Sequence, residues 1–177
     1  MIRHLAAALG FLAVAALTHV AIILGLPLLA MHIAMGALAR EDAASRFRAE
    51  PQDPAAVHAL VSPNPDLTHA VCSFDVQARA VRIAATLPPG MWSLSLYAAN
   101  TDNYLIISED QVTDGALEVI IYGSNYRGTF PATSIALQSP SRQGVAVLRV
   151  IAGAGAIAPA MAEALGRAIC EPYTPAP

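Results

Sequence analysis

Trp92, Tyr97, Asn100, Asp102 and Asn103 lie within a dozen positions of one another and form the densest set of side chains in this sequence able to hold a ligand. The tryptophan, the only one in the chain, offers a stacking surface, and Tyr, Asn and Asp offer donors and acceptors at the end of an apolar run. Their structural role is the alternative: Asn and Asp satisfy turn backbone, and a tryptophan on an alternating apolar face belongs to a core. Ser93 and Ser95 supply hydroxyls nearby, but no G-x-S-x-G elbow presents either as a nucleophile, and His58 and His69 lie in or beside a proline-rich stretch. His69-x-x-Cys72 together with His58 gives at most three metal ligands, where structural zinc needs four. Glu109 and Asp110 are adjacent in a turn, so their carboxylates diverge instead of meeting on one proton. Gly153-x-Gly155-x-x-Ala158 sits between a strand and a helix, as a dinucleotide-binding turn does. The 22 residues after Gly155 leave no room for the second parallel strand and distant acid that such a site requires. No set is complete, so the sequence predicts no catalytic residue, metal, cofactor or nucleotide.

The remaining candidates, His19 and His32, fall in the stretch that dominates the composition. From Leu5 to Ala39 there is no Asp, Glu, Lys or Arg, and about 20 apolar residues suffice to cross a bilayer as a helix. Ionisable groups at membrane depth are costly and often functional, but these two histidines do not share a face of one continuous helix. Leu5–Leu26 makes a full span, Pro27 is placed to end or kink it, and Leu28–Ala39 extends it along the interface. The stretch is too long for the apolar region of a cleaved signal peptide. The chain is 55% hydrophobic and only 13% charged, with a net charge of −3 and arginine as its only strongly basic residue. That composition favours a lipid bilayer as a partner and argues against nucleic acid. Arg3 on one side and Arg40, Arg46 and Arg48 among acids on the other leave the orientation open.

The elements that must position these groups follow from periodicity. Residues 1–39 read as the transmembrane anchor, 40–68 as a linker carrying Pro51, Pro54, Pro63 and Pro65, and 69–177 as an extracytoplasmic β-domain. Strands are expected at Val71–Val76, Val81–Leu87, Trp92–Tyr97, Tyr104–Ile107, Ala116–Tyr122, Ser134–Gln138 and Gly144–Ile151, with turns at Pro88–Gly90, Asn100–Asn103 and Asp114–Gly115. A helix is expected over Ala158–Cys170. Short strands without interleaved helices predict a mainly β fold, an antiparallel β-sandwich or open barrel with one C-terminal helix. Cys72 and Cys170 either form a disulfide, closing a loop worth about 4–5 kcal/mol in an oxidising compartment, or remain two separate buried thiols.

Pro88, Pro89, Trp92, Ser93 and Leu94, then Thr101 and Asn103, then Gly123 and Gly128 after an apolar strand, and finally Arg149, follow one another in an order that resembles the bacterial domain of unknown function 1254 family. The resemblance runs over about Cys72–Ile169. Larger members carry a long additional N-terminal region and often an Asp before T-x-N, where this chain has Ala98 and Ala99. The chain looks like the short, single-span membrane subgroup, often paired with a sister protein of related unknown type. The resemblance implies an antiparallel β-domain on the periplasmic side of the bacterial inner membrane and brings no catalytic residues. The expected function is thus a non-catalytic interaction or accessory subunit of a membrane assembly, partnered by a sister membrane protein or larger complex. The alternative is a binder of a small apolar or lipid-like ligand on the concave face around Trp92, Tyr97, Tyr104 and Tyr122.

Overall fold

The computed structural model describes residues 2–40, 47–49, 66–151 and 158–175. Helix α1 (Ile2–Arg40) runs without interruption through Pro27. The proline removes one backbone hydrogen bond, but the leucines and alanines on either side are strong helix formers and carry the helix past it. Apart from Phe47 and strand β1 (Arg48–Ala49), most of the expected linker lies outside the described residues, as do His58, Gly153 and Gly155.

The strands that follow are β2 (Leu67–Asp75), β3 (Val81–Thr86), β4 (Trp92–Ala98), β5 (Asn103–Ser108), β6 (Ala116–Tyr122), β7 (Ile135–Gln138) and β8 (Gln143–Ile151). A single 3-10 turn, Glu109–Gln111, follows β5. Helix α2 (Pro159–Arg167) and strand β9 (Ile169–Pro172) complete the described chain. One sheet has the order β1-β2-β8-β4-β5 and the other β7-β6-β3-β9, so the expected mainly β architecture is a two-sheet sandwich rather than a barrel. Period-two patterning explains why: alternate residues Leu94 and Leu96 of β4, Ile83 of β3, Val119 and Ile121 of β6 and Leu148 of β8 are completely buried between the sheets. Each such side chain contributes about 1.5–3 kcal/mol on leaving water.

Two details depart from the sequence expectation. The β6–β7 pair is parallel, with Val119 opposite Ile135. Parallel neighbours need a crossover of about a dozen residues, and residues 123–134 supply it, held down by a chain of rings in which Tyr126 stacks on Phe130 at 4.7 Å and Phe130 meets Tyr173 at 5.7 Å. Helix α2 also stops at Arg167 instead of reaching Cys170. Ala168 turns extended, and Ile169–Pro172 pairs antiparallel with β3, completing an edge that would otherwise be open. That switch brings Cys170 opposite Ile83 and within bonding distance of Cys72 on β2; the sulfurs are 2.00 Å apart and the Cα atoms 6.6 Å. The disulfide therefore ties one sheet to the other through the centre of the core.

On the far face of the four-stranded sheet Arg82 bridges two strands, donating to Glu118 of β6 at 2.8 Å and Glu171 of β9 at 3.3 Å. Those hydrogen bonds, Glu118's first, raise the arginine pKa. The turn that carries the chain from β5 in one sheet to β6 in the other depends on Gly115, whose φ of +64° lies in the left-handed region, and a Cβ there would collide with the carbonyl oxygen of Leu87.

Candidate functional site

Alternation along the five-stranded sheet sends every second residue away from the core. Across β2, β8 and β4 the outward rows read Ser73–Val145–Tyr97, Val71–Val147–Ser95 and His69–Arg149–Ser93, with Leu67 opposite Ile151 beyond them. Half of this face is not left to solvent. Met31, Met35 and Leu38 fall on one side of α1 and pack on Val71, Val145, Val147 and Tyr97. Pro27 and Ala34 on the same stripe are half-buried, while residues 2–26 are exposed throughout.

Beside the helix contact is a compact polar group. Arg149 donates from Nη1 to Ser95 Oγ at 2.8 Å and from Nη2 to Tyr97 Oη at 2.7 Å, with its guanidinium carbon 5.6 Å from the Tyr97 ring centre. Ser95 is 1% exposed, so without this bond its hydroxyl would be an unsatisfied buried group. None of the ion pairs among the described residues involves Arg149. Burial, and secondarily the Arg149 charge, push the pKa of His69 below the ordinary histidine value, so the imidazole is held neutral at pH 7.

Where the helix no longer covers the sheet, a groove of about 360 Å³ opens over the start of β4. Strand order sets its cross-section: Leu67 on one flank, Arg149 and Ser93 along the floor, and Ser108, Glu109 and Asp110 on the other flank. Met91, 67% exposed, and Ile151, 45% exposed, add apolar surface at its end. Trp92 lines the same groove while being 4% exposed, and its Nε1 has no hydrogen-bond acceptor among the described residues. The carboxylate of Glu109 already accepts from the Gly90 N–H at 3.1 Å, whereas no side-chain hydrogen bond or ion pair among the described residues engages Asp110.

The five residues singled out from sequence do not form one site: Trp92 stands at one end of β4 and the other four at the opposite end. Trp92 packs in the core and borders the groove, and Tyr97 is on the outer face against Arg149. Asn100, Asp102 and Asn103 lie exposed at the β4–β5 turn, where Asn103 pairs in register with Tyr97, and about 20 Å from Trp92 at the rise of a strand. There Asn100 Nδ2 donates to Asp102 Oδ2, the Asp102 N–H returns to Asn100 Oδ1 at 3.3 Å, and the Ala98 N–H donates to the Asp102 carbonyl at 2.9 Å. The turn thus consumes the polar groups it carries, and Thr101 at φ +72° marks its tight path. Tyr104 is partly buried against the core and Tyr122 belongs to the ring chain of the 123–134 crossover, so those two do not share a concave face with Tyr97. Sequence reasoning passed over Arg149, Ser95 and His69 as a group. The signal was a single arginine inside an otherwise apolar strand, opposite a histidine in register.

Other hollows are less suited to chemistry. A hollow of about 820 Å³ between α2 and the four-stranded sheet has its arginines already paired, Arg82 with Glu118 and Arg167 with Glu163. Among the described residues no group of three His, Cys, Asp or Glu side chains could hold a metal ion.

No curated protein matches the sequence. Among solved structures, the VPA0106 protein from Vibrio parahaemolyticus shares the fold at a TM-score of 0.66 and 15% identity, over 86% of this chain and 37% of that one. The chain thus spans little more than a third of the length of that relative, and at this identity the likeness concerns the fold alone. The family profile described as "Protein of unknown function (DUF1254)" matches residues 44–170, beginning just after α1 and ending at the disulfide-bonded Cys170. By that match over most of its length, the chain belongs to the DUF1254 family.

Proposed function

We propose that this protein is a single-span, membrane-anchored β-domain of the bacterial inner membrane that serves, without catalysis, as an interaction or accessory subunit on the periplasmic side. The observation that carries the reading is the division of α1 at Pro27. Residues 2–26 are apolar and wholly exposed, and at 1.5 Å per residue they extend about 37 Å, enough for a hydrocarbon core of about 30 Å. From Pro27 onward the same helix is seated on the sandwich. A removable signal sequence has no need of such a seat. The disulfide between Cys72 and Cys170 supports an oxidising compartment for the domain and, with it, a cytoplasmic N-terminus. The proposed partner is a sister membrane protein.

Native mass spectrometry of the protein extracted in mild detergent tests the subunit role: a second polypeptide in defined stoichiometry is expected, and a bare monomer refutes it. Protease added to right-side-out and inverted vesicles tests orientation, with cleavage expected only in the former. A second reading, a lipid-like ligand held on the β-domain, is favoured by the groove beside Trp92 and Arg149.

A further inference from the structure

We infer that the groove at the start of β4 takes the headgroup of a zwitterionic phospholipid of the phosphatidylethanolamine type, with Arg149 meeting the phosphate and Asp110, with Glu109, meeting the ammonium. This deepens the second reading above, and the anchored arrangement supplies the source of the lipid.

Charge complementarity selects the ligand. Arg149 carries five N–H donors, of which the Ser95 and Tyr97 bonds use two, and no carboxylate among the described residues neutralises it. A guanidinium with spare donors suits a phosphate oxygen pair. Across the groove, Asp110 is exposed and Glu109 half-buried, which places negative charge opposite the arginine. A purely anionic headgroup would face repulsion from those two carboxylates, and a simple fatty acid would leave them unmatched. A headgroup carrying both signs satisfies both flanks. Choline also carries both signs, but its methyl groups cannot donate hydrogen bonds to a carboxylate, whereas a primary ammonium donates three.

The rest of the groove fits the acyl end. Leu67, Met91 and Ile151 are apolar and partly or largely exposed, a cost that acyl chains would remove. The position is suitable as well. His69 and Arg149 are two residues along their strands from Val71 and Val147, which carry the anchor helix, a separation of roughly 7 Å.

The test uses the full chain in amphipol and short-chain phosphatidylethanolamine, phosphatidylglycerol and phosphatidylcholine, each below its micelle concentration. Trp92 is the only tryptophan and lines the groove, so its emission reports binding. Native mass spectrometry counts retained lipid independently. Saturable binding is expected for phosphatidylethanolamine ahead of the other two. Asp110→Asn should reduce its affinity roughly three- to fivefold, the scale of one exposed charge pair, and erase the preference over phosphatidylglycerol. Met91→Asp should abolish binding of all three lipids, with the near-ultraviolet spectrum of the sandwich unchanged in both variants. The inference is overturned if neither method detects phosphatidylethanolamine, if the three headgroups bind alike, or if Asp110→Asn leaves the preference intact. The lipids reach the groove from solution whether or not α1 spans a bilayer, so failure here leaves the anchored-subunit reading standing, and failure of that reading leaves this result interpretable.

Discussion

Reducing the Cys72–Cys170 bond without changing any other atom isolates what the cross-link contributes to the sandwich. The bridge spans 98 positions. Chain-entropy reasoning gives a loop of that size about 4.7 kcal/mol of stabilisation at 25 °C, because the cross-linked unfolded chain has far fewer conformations to lose. Both cysteines are essentially inaccessible, at 0% and 1% exposure, so the native protein should resist added dithiothreitol until it unfolds. The comparison is therefore between protein refolded with and without reductant, each unfolded by denaturant or heat in the same detergent. Trp92 sits in the same core, and its near-ultraviolet signal follows the sandwich while ignoring the helical anchor. At about 4 °C per kcal/mol for a domain of this size, the reduced form should melt on the order of 15–20 °C lower. Failure of the reduced chain to fold at 37 °C is the extreme of the same result. A loss under about 1 kcal/mol, or free thiols in protein isolated with its thiols blocked at lysis, would refute the reasoning.

His69 makes stability depend on pH. Its folded pKa lies below the unfolded value of about 6.5, so the unfolded chain binds the extra proton first; the full contribution is present above about pH 6.5 and is lost as pH falls towards the folded pKa. Denaturant unfolding at stepped pH should show this decline, at no more than about 1.4 kcal/mol per pH unit for one proton, and His69→Gln should remove it. Tyr97→Phe deletes one acceptor of Arg149 and should cost about 1–2 kcal/mol by the same assay, with Arg149→Met costing more because Ser95 also loses its bond. Gly115→Ala should destabilise the domain by several times the ~1 kcal/mol typical of a point mutation, since strain and a backbone collision add, and an unchanged midpoint would count against the geometry of this turn. Leu38→Asp should lift the second half of α1 from the sheet, seen as a nitroxide at Ala34 changing from immobilised to mobile while the sandwich stays folded.

Much of the fold was legible in the sequence because burial is simple where one face of a strand meets a core. Trp92, Leu94 and Leu96 alternate with Ser93, Ser95 and Tyr97, and the structure sends the first set inward. The end of the chain was misread for an equally physical reason. Met161, Leu165 and Ile169 share a helical spacing, and only the open edge of β3 and the partner thiol of Cys72 make Ile169–Pro172 more stable as a strand. The candidate site was harder to see. Asn100 and Asp102 attracted attention by type, but their groups bond one another in the turn. Arg149, Ser95 and Tyr97 converge only through register between β4 and β8, a relation that no spacing along the chain records.

The seat of α1 on Val71, Val145 and Val147 also bears on how such a domain would meet other molecules. A ball on a slack tether sweeps a hemisphere and presents every side of itself in turn. With α1 spanning a bilayer as proposed, a domain seated on that same rod would ride at one height and show one profile, so its encounters would reduce to lateral drift and rotation about the membrane normal. Part of the orientational freedom that association must remove is then already gone before a partner arrives. A modest contact patch at the right elevation suffices, and a larger one a few nanometres higher is never met.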